Sequence, residues 1–228
     1  MMKKKELCMY ALLAVISLLV GCSNASKPQQ EPEVDSLVNA DSMSLRPLVM
    51  PGGDTVMVGV RTDSATIYRQ VHDRKQCFIV ISKKLLRLSV YEVVGGDTLL
   101  TARYPVCLSK NKGNKQRKGD MRTPESPKGK PFSIVQIQDA STWSHDFHDG
   151  RGSIKAYGHW FLRLLTPGHS GIGIHGSTNN EQTVPGRASE GCIRLLDKDI
   201  IDLKERYAFE GMNVTIQAEN DDPLPFEK

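Results

Sequence analysis

The sequence predicts a mainly β fold with one late helix, on three observations. From Cys77 onward, apolar residues alternate or run in short blocks, as in Cys77-Phe78-Ile79-Val80-Ile81 and Leu86–Val93. Turn formers such as Gly95-Gly96-Asp97 separate those blocks. Only the stretch from about Lys198 to Tyr207 carries a helical period, with Ile200, Ile201 and Leu203 on its inner side and Asp197 placed to cap its start.

The elements follow in order. Thr98–Val106 returns from the glycine turn as a strand, and Ser109–Lys118 is a basic, glycine-containing loop. Phe132–Ile137, Trp160–Leu165, Gly171–Ile174 and Asn213–Gln217 are further strands, and no internal repeat is visible. A chain of 228 residues suits one domain of common size plus an appendage. Its net charge of +4 does not call for a nucleic-acid partner.

The appendage is N-terminal. Lys3-Lys4-Lys5, an apolar run from Met9 to Val20 and a small-residue end at Gly21-Cys22 describe an export signal over residues 1–21. The run is short for a membrane span, which needs about 20 apolar residues. Residues 22–74 begin polar and proline-bearing (Lys27-Pro28-Gln29-Gln30-Glu31-Pro32-Glu33) and read as a flexible tether. About 50 such residues span roughly 40 Å r.m.s.. Within them, Thr55–Val60 and Ala65–Val71 have the pattern of a short strand and helix able to pack on the domain. Residues 219–228 form a polar tail.

Two segments carry chemistry: Gly173-Ile174-His175-Gly176-Ser177 and Ser189-Glu190-Gly191-Cys192-Ile193-Arg194-Leu195. Cysteine attacks as thiolate, and a nearby imidazole is the usual means of making one, so a depressed thiol pKa is expected at Cys192. His175 and Cys192 are 17 positions apart and must meet across a folded loop. Ile172 and Ile174 alternate with Gly171 and Gly173, like the end of a buried strand presenting His175 at its tip. Gly191 lets backbone approach the sulfur closely, where amide N–H groups can receive an oxyanion.

These segments resemble the L,D-transpeptidase catalytic domain (YkuD family), whose signature pairs His-Gly with Ser/Thr-x-Gly-Cys, an apolar residue and Arg or Asn. A second stretch, Lys118-Gly119-Asp120-Met121-Arg122-Thr123-Pro124-Glu125 followed by Phe132-Ser133-Ile134, resembles the family's Gly-Asp-x-x-Thr-Pro-x-Gly-x-Phe element. It departs in its longer turn, Ser126-Pro127-Lys128-Gly129-Lys130-Pro131. Tyr157-Gly158-His159-Trp160-Phe161-Leu162-Arg163-Leu164 resembles the strand before the catalytic histidine, so the likeness covers roughly residues 76–218.

The resemblance implies a twisted β-sandwich of the L,D-transpeptidase type over residues 75–218, with one helix in the C-terminal region. It implies that Cys192 attacks a peptidoglycan stem peptide to form a thioester, that His175 moves the protons, and that the Gly176 carbonyl orients the imidazole. Neither cofactor nor metal is implied. Leu19-Val20-Gly21-Cys22 resembles the bacterial lipobox, which implies cleavage before Cys22, lipidation there, and a catalytic domain held at the membrane outside the cytoplasm, in the cell envelope. The acyl acceptor stays open: a stem amine gives a 3→3 cross-link, water a carboxypeptidase, a protein lysine a wall attachment or its reversal. A non-enzymatic peptidoglycan-binding lipoprotein is a further alternative. Sortases share Cys, His and Arg, but their Thr-x-x-Thr-Cys context is missing here.

Other residues are less specific. Arg194 either forks onto a substrate carboxylate or fixes the loop internally, and Ser189 braces the loop. Tyr157, His159 and Trp160 form a pocket wall or simply core. His145, Asp146, His148 and Asp149 look superficially like metal ligands but lack closed-site spacing, and read as a solvated lid. Lys110, Lys112, Lys115, Arg117 and Lys118 form a soluble basic loop that would attract an anionic polymer. Cys77 and Cys107 either remain buried thiols or pair.

Overall fold

The computed structural model describes residues 45–59 and 65–227. Two short N-terminal strands, β1 (Leu45–Val49) and β2 (Thr55–Gly59), form a hairpin, and β3 is Thr66–Ile67. The strongly alternating blocks become β4 (Cys77–Ser82), β5 (Arg87–Val94) and β6 (Asp97–Pro105), an antiparallel meander, followed by β7 (Cys107–Ser109). β8 (Phe132–Asp139) is followed by a small separate hairpin of β9 (Ser144–Asp146) and β10 (Ser153–Lys155). Then come β11 (Trp160–Leu165), β12 (Gly173–His175), β13 (Gly186–Ser189), β14 (Ile193–Arg194), helix α1 (Asp197–Arg206) and β15 (Asn213–Gln217).

The sandwich takes the form of one continuous sheet, ordered β1-β2-β13-β7-β14-β12-β11-β8-β15-β4-β5-β6-β3. Its curl follows from its core. Ile79 and Val90 from one end of the sheet share a buried cluster with Leu108, Ile174 and Ile193 from the other. Ile200 and Leu203 of α1 join that cluster, so the helix lies on the apolar face. Arg74 secures the far end of α1 by donating from Nε to Tyr207 O at 3.0 Å and from Nη2 to Lys204 O at 2.8 Å.

The folded part extends beyond residues 75–218 in both directions. Within the tether segment the strand expected at Thr55–Val60 is present and packed: β2 pairs antiparallel with β13, and Val56 and Val58 are buried in a second apolar cluster with Cys107, Val184 and Leu196. Alternation of only five residues is a faint signal, and burial against β13 supplies the rest of the stabilisation. The Ala65–Val71 stretch makes no helix; Thr66 and Ile67 add an edge strand to β6. The polar tail is docked as well, with Phe226 against Phe78 and Tyr91 and the Tyr91 hydroxyl donating to Glu227 at 3.1 Å. Residues 1–21 and Cys22 lie outside the described residues. Cys77 and Cys107 are both buried and both free thiols.

Candidate active site

His175 ends β12 at the centre of the sheet. β11 lies on one side, pairing Phe161 with His175, and β14 on the other, pairing Ile174 with Ile193 and His175 with Arg194 in parallel. That register carries the Cys192 segment onto the strand beside the histidine, so the 17-residue separation is closed by the sheet itself. The imidazole is buried between Phe161, stacked at 5.7 Å and 12°, and Tyr157 at 4.9 Å. Its Nδ1 is 2.7 Å from Gly176 O. A carbonyl only accepts, so Nδ1 carries the proton and Nε2 is left with the lone pair.

The turn after His175 is held by close packing. Gly176 N donates to Tyr157 O at 2.7 Å, and a Cβ on Gly158 would lie 2.6 Å from Asp197 Oδ1 and 2.7 Å from Gly176 Cα. Only glycine fits at 158 and 176, and this is what the Tyr-Gly and His-Gly pairs are for. Asp197 Oδ1 accepts from Ser177 N at 2.6 Å, and Oδ2 accepts from the Thr178 hydroxyl. Asp197 was expected to cap α1. Instead it is the first helical residue, Leu196 occupies the cap position without a side-chain bond, and the carboxylate serves the histidine turn. The amides past His175 offer a partner that the helix end does not outbid.

Cys192 sits half-buried just ahead of β14, its thiol donating to Gly171 O at 3.3 Å. Ser189 does brace this loop: its hydroxyl donates to Cys192 O at 2.6 Å and accepts from Gly191 N at 3.3 Å. Gly191 has φ +147°, and a Cβ there would lie 3.0 Å from Arg122 O and 3.6 Å from Lys115 Nζ. A side chain would therefore be strained and crowded at 191. Arg194 is buried, donates from Nη1 to Thr183 Oγ1 at 2.9 Å and lies 5.4 Å from the Phe147 ring centroid, which favours its internal role.

Electrostatics correct one expectation. Burial, reinforced by the charge on Arg194, pushes the His175 imidazole down to about 3, against the pull of its Gly176 bond. Burial likewise pushes the Cys192 thiol up, opposed by a backbone bond from Gly173 and by the charges of Arg194 and Lys115. The expected depressed thiol is not found. Both shifts favour a resting pair of thiol and neutral imidazole, which leaves His175 Nε2 able to take the thiol proton.

Lys115 departs from its expected place in a soluble basic loop. It is buried rather than part of a solvated basic loop, and its Nζ donates to Asp120 Oδ1 at 2.9 Å, beside Gly191. Asp120 also accepts from Gln116 N at 2.6 Å and from Arg117 N and Arg122 N, both at 3.1 Å. Nearby, buried Lys83 donates to Thr123 O at 2.7 Å, Gly113 O at 2.9 Å and Glu125 at 2.8 Å. The Gly-Asp…Thr-Pro stretch is thus a hydrogen-bonded wall behind the Cys192 loop. A buried lysine inside a run of basic residues leaves no mark in the sequence.

The β9–β10 hairpin covers the other side. Trp143 packs on Tyr157 and Phe161, and His145 Nε2 lies 3.2 Å from Glu190 Oε2. Asp149 is spent on Arg151, exposed His148 lies 3.6 Å from Asp146, and among the described residues no three His, Cys, Asp or Glu side chains converge. Of the proposed wall, Tyr157 reaches the site. His159 is exposed, and Trp160 packs under Lys204 of α1 at 4.2 Å.

The family model for the YkuD L,D-transpeptidase catalytic domain matches residues 77–216. Among solved structures, the chain is similar to Bd1075 from Bdellovibrio bacteriovorus, at 18% identity and a TM-score of 0.45, over 76% of this chain and 53% of that one. It is similar to the helical cell shape determining protein Pgp2 from Campylobacter jejuni, at 15% identity and a TM-score of 0.45, over 72% and 52%. A third likeness is to an L,D-transpeptidase from Mycobacterium smegmatis, at 16% identity and a TM-score of 0.42, over 63% and 59%. This chain spans about half the length of the first two. No curated protein matches it in sequence.

Proposed function

Because the chain belongs to the YkuD family of L,D-transpeptidase catalytic domains, we propose that it is a cysteine acyltransferase that forms 3→3 cross-links between peptidoglycan stem peptides. The observation that carries this reading is the His175 tautomer fixed by Gly176 O, next to a strand that leads straight from Cys192. In acylation, Sγ attacks the carbonyl of the diamino acid at the third stem position while its proton passes to His175 Nε2. The C–S bond forms, the C–N bond to the terminal D-alanine breaks, and Nε2 returns the proton to the departing amine. In the second half, a side-chain amine of a neighbouring stem attacks the thioester carbonyl. The C–N bond forms, the C–S bond breaks, and the amine proton travels through Nε2 to the leaving sulfur.

Developing negative charge on the carbonyl oxygen would be met by backbone N–H groups around Gly191, with Lys115 behind them. The lipobox-like Leu19-Val20-Gly21-Cys22 supports acylation of Cys22 and a position in the bacterial cell envelope, with the domain outside the cytoplasm. Release of the protein from membranes in Cys22→Ala tests the anchor. Purified protein incubated with disaccharide-tetrapeptide and read by mass spectrometry tests the chemistry. A tetrapeptide–tripeptide dimer that vanishes in Cys192→Ala and in His175→Ala is expected. Clean conversion to tripeptide monomer would instead make the protein an L,D-carboxypeptidase.

A further inference from the structure

Glu190 occupies the position two before the nucleophile, and what surrounds it is unlike what lies behind Gly191. Beneath the loop the charges are positive and buried, Lys115 and Arg194. At the rim the charge is negative and open: the Glu190 side chain is 36% exposed, with His145 Nε2 at 3.2 Å from one of its oxygens. From there a line of half-buried rings runs back to the catalytic histidine. His145 and Tyr157 are 6.3 Å apart, Trp143 and Tyr157 5.8 Å, and Tyr157 and His175 4.9 Å.

We propose that Glu190, with the faces of Trp143 and Tyr157 and the ring of His145, forms an ammonium subsite that receives the primary amine of the acyl acceptor. The inference rests on the proposed transpeptidation, because only an acyl-enzyme has an acceptor to recruit. An alkyl ammonium is attracted by a carboxylate and by aromatic faces alike, and both are present on the approach to the thioester. Water hydrogen-bonds to the carboxylate but carries no charge for either to attract. A carboxylate here therefore biases partition toward amines without touching the first half-reaction's chemistry.

The geometry also handles the proton that an ammonium must lose before it attacks. Glu190 takes it and gives it up to solvent, to which its side chain is 36% exposed, while His145 Nε2 carries its own proton and donates to the carboxylate. The free amine then forms the C–N bond, and its second proton goes through His175 to sulfur. Tyr157 ties the two regions together, since burial and the charges of Cys192 and Glu190 all push its hydroxyl up.

The alternative role for the Glu190–His145 pair is a latch holding the β9–β10 hairpin on the loop. The experiment separates the two by the charge of the acceptor. Acyl-enzyme is made from disaccharide-tetrapeptide and offered either 1,5-diaminopentane, a cation at pH 7.5, or hydroxylamine, which is neutral there. Glu190→Gln is expected to raise the KM for diaminopentane relative to that for hydroxylamine by about tenfold, the scale of one lost charge contact. Glu190→Asp keeps the charge and should retain most of the discrimination, and salt should erode it in the wild type. Equal losses with both acceptors would mean a latch and overturn the subsite, as would equal KM values in wild type and Glu190→Gln. Absence of any acyl-enzyme in the wild type, seen by mass, would overturn the proposed function and this inference with it.

Discussion

Asp197 opens α1 and Ser177 lies two residues past His175, and a 2.6 Å hydrogen bond from the Ser177 amide to Asp197 Oδ1 joins them. The helix start thereby fixes the chain that supplies the Gly176 carbonyl to the His175 imidazole. Removing the carboxylate in Asp197→Ala strands two donors, the Ser177 amide and the Thr178 hydroxyl, at a cost of about 1–3 kcal/mol. A histidine turn that relaxes by an ångström should slow acylation by up to about 100-fold. Asp197→Asn keeps one acceptor oxygen and should fall between. Urea melts and single-turnover acylation by mass check both effects; an Asp197→Ala enzyme with wild-type acylation would sink the argument.

The neutral resting pair has a signature in pH. With the Cys192 thiol pushed up and His175 pushed down to about 3, the imidazole stays an available base through mild acid, so acylation should not fall off near the ordinary histidine range. Alkylation by iodoacetamide needs thiolate and no base. It should therefore be slow at pH 7 and keep rising above the usual thiol range. A rate plateau already reached below pH 7 would mean a thiolate–imidazolium pair and contradict this arrangement. Cys77, pushed up to about 12 by burial and by Glu92 and Asp73, should label more slowly still.

β4, β5, β6, β8, β11, β12, β15 and the helix were legible because their apolar periods are long or tightly bounded, and β11 and β15 have the expected bounds. The short strands β7, β13 and β14 carry two to four residues each and exist only because neighbours pair with them. For the same reason β1 hid inside a polar segment, whereas β2 showed in the alternation of Thr55–Val60 and is completed by burial against Cys107, Val184 and Leu196, which is non-local. Within the site, His175, Gly176, Gly191 and Cys192 announced themselves by motif. Lys115, Glu190 and Asp197 did not, since a charged residue in a loop looks solvated until the fold buries it or gives it a polar partner.

Lys115 provides a third test. Its ammonium pulls the Cys192 thiol down against burial and stands behind the Gly191 backbone, so Lys115→Met should move the alkylation profile to higher pH. Acylation should slow on the order of tenfold, equivalent to about 1.4 kcal/mol of lost charge stabilisation. Lys115→Arg keeps the charge and should recover part of both. A Lys115→Met enzyme that loses only stability, with its alkylation profile unmoved, would reduce the residue to a partner of Asp120.

Asp120 should set part of the acid limit of the fold. Burial alone would raise its carboxyl, but hydrogen bonds from Gln116 N, Lys115, Arg117 N and Arg122 N hold it far below the usual aspartate range. A carboxyl depressed in the folded state stabilises fully above its unfolded pKa of about 3.9, and that stability is lost as pH falls toward the folded value. Glu92 and Asp149 are lowered too, so acid weakens any variant, and the informative quantity is a difference. Asp120→Asn should unfold at lower urea than wild type at pH 7, and the gap between the two midpoints should close steadily from about pH 4 to pH 2, where the unfolded wild-type chain takes up a proton at Asp120 that the folded chain still resists. A gap that stays constant down to pH 2 would show that shape at residue 120, rather than charge, holds the wall behind Gly191.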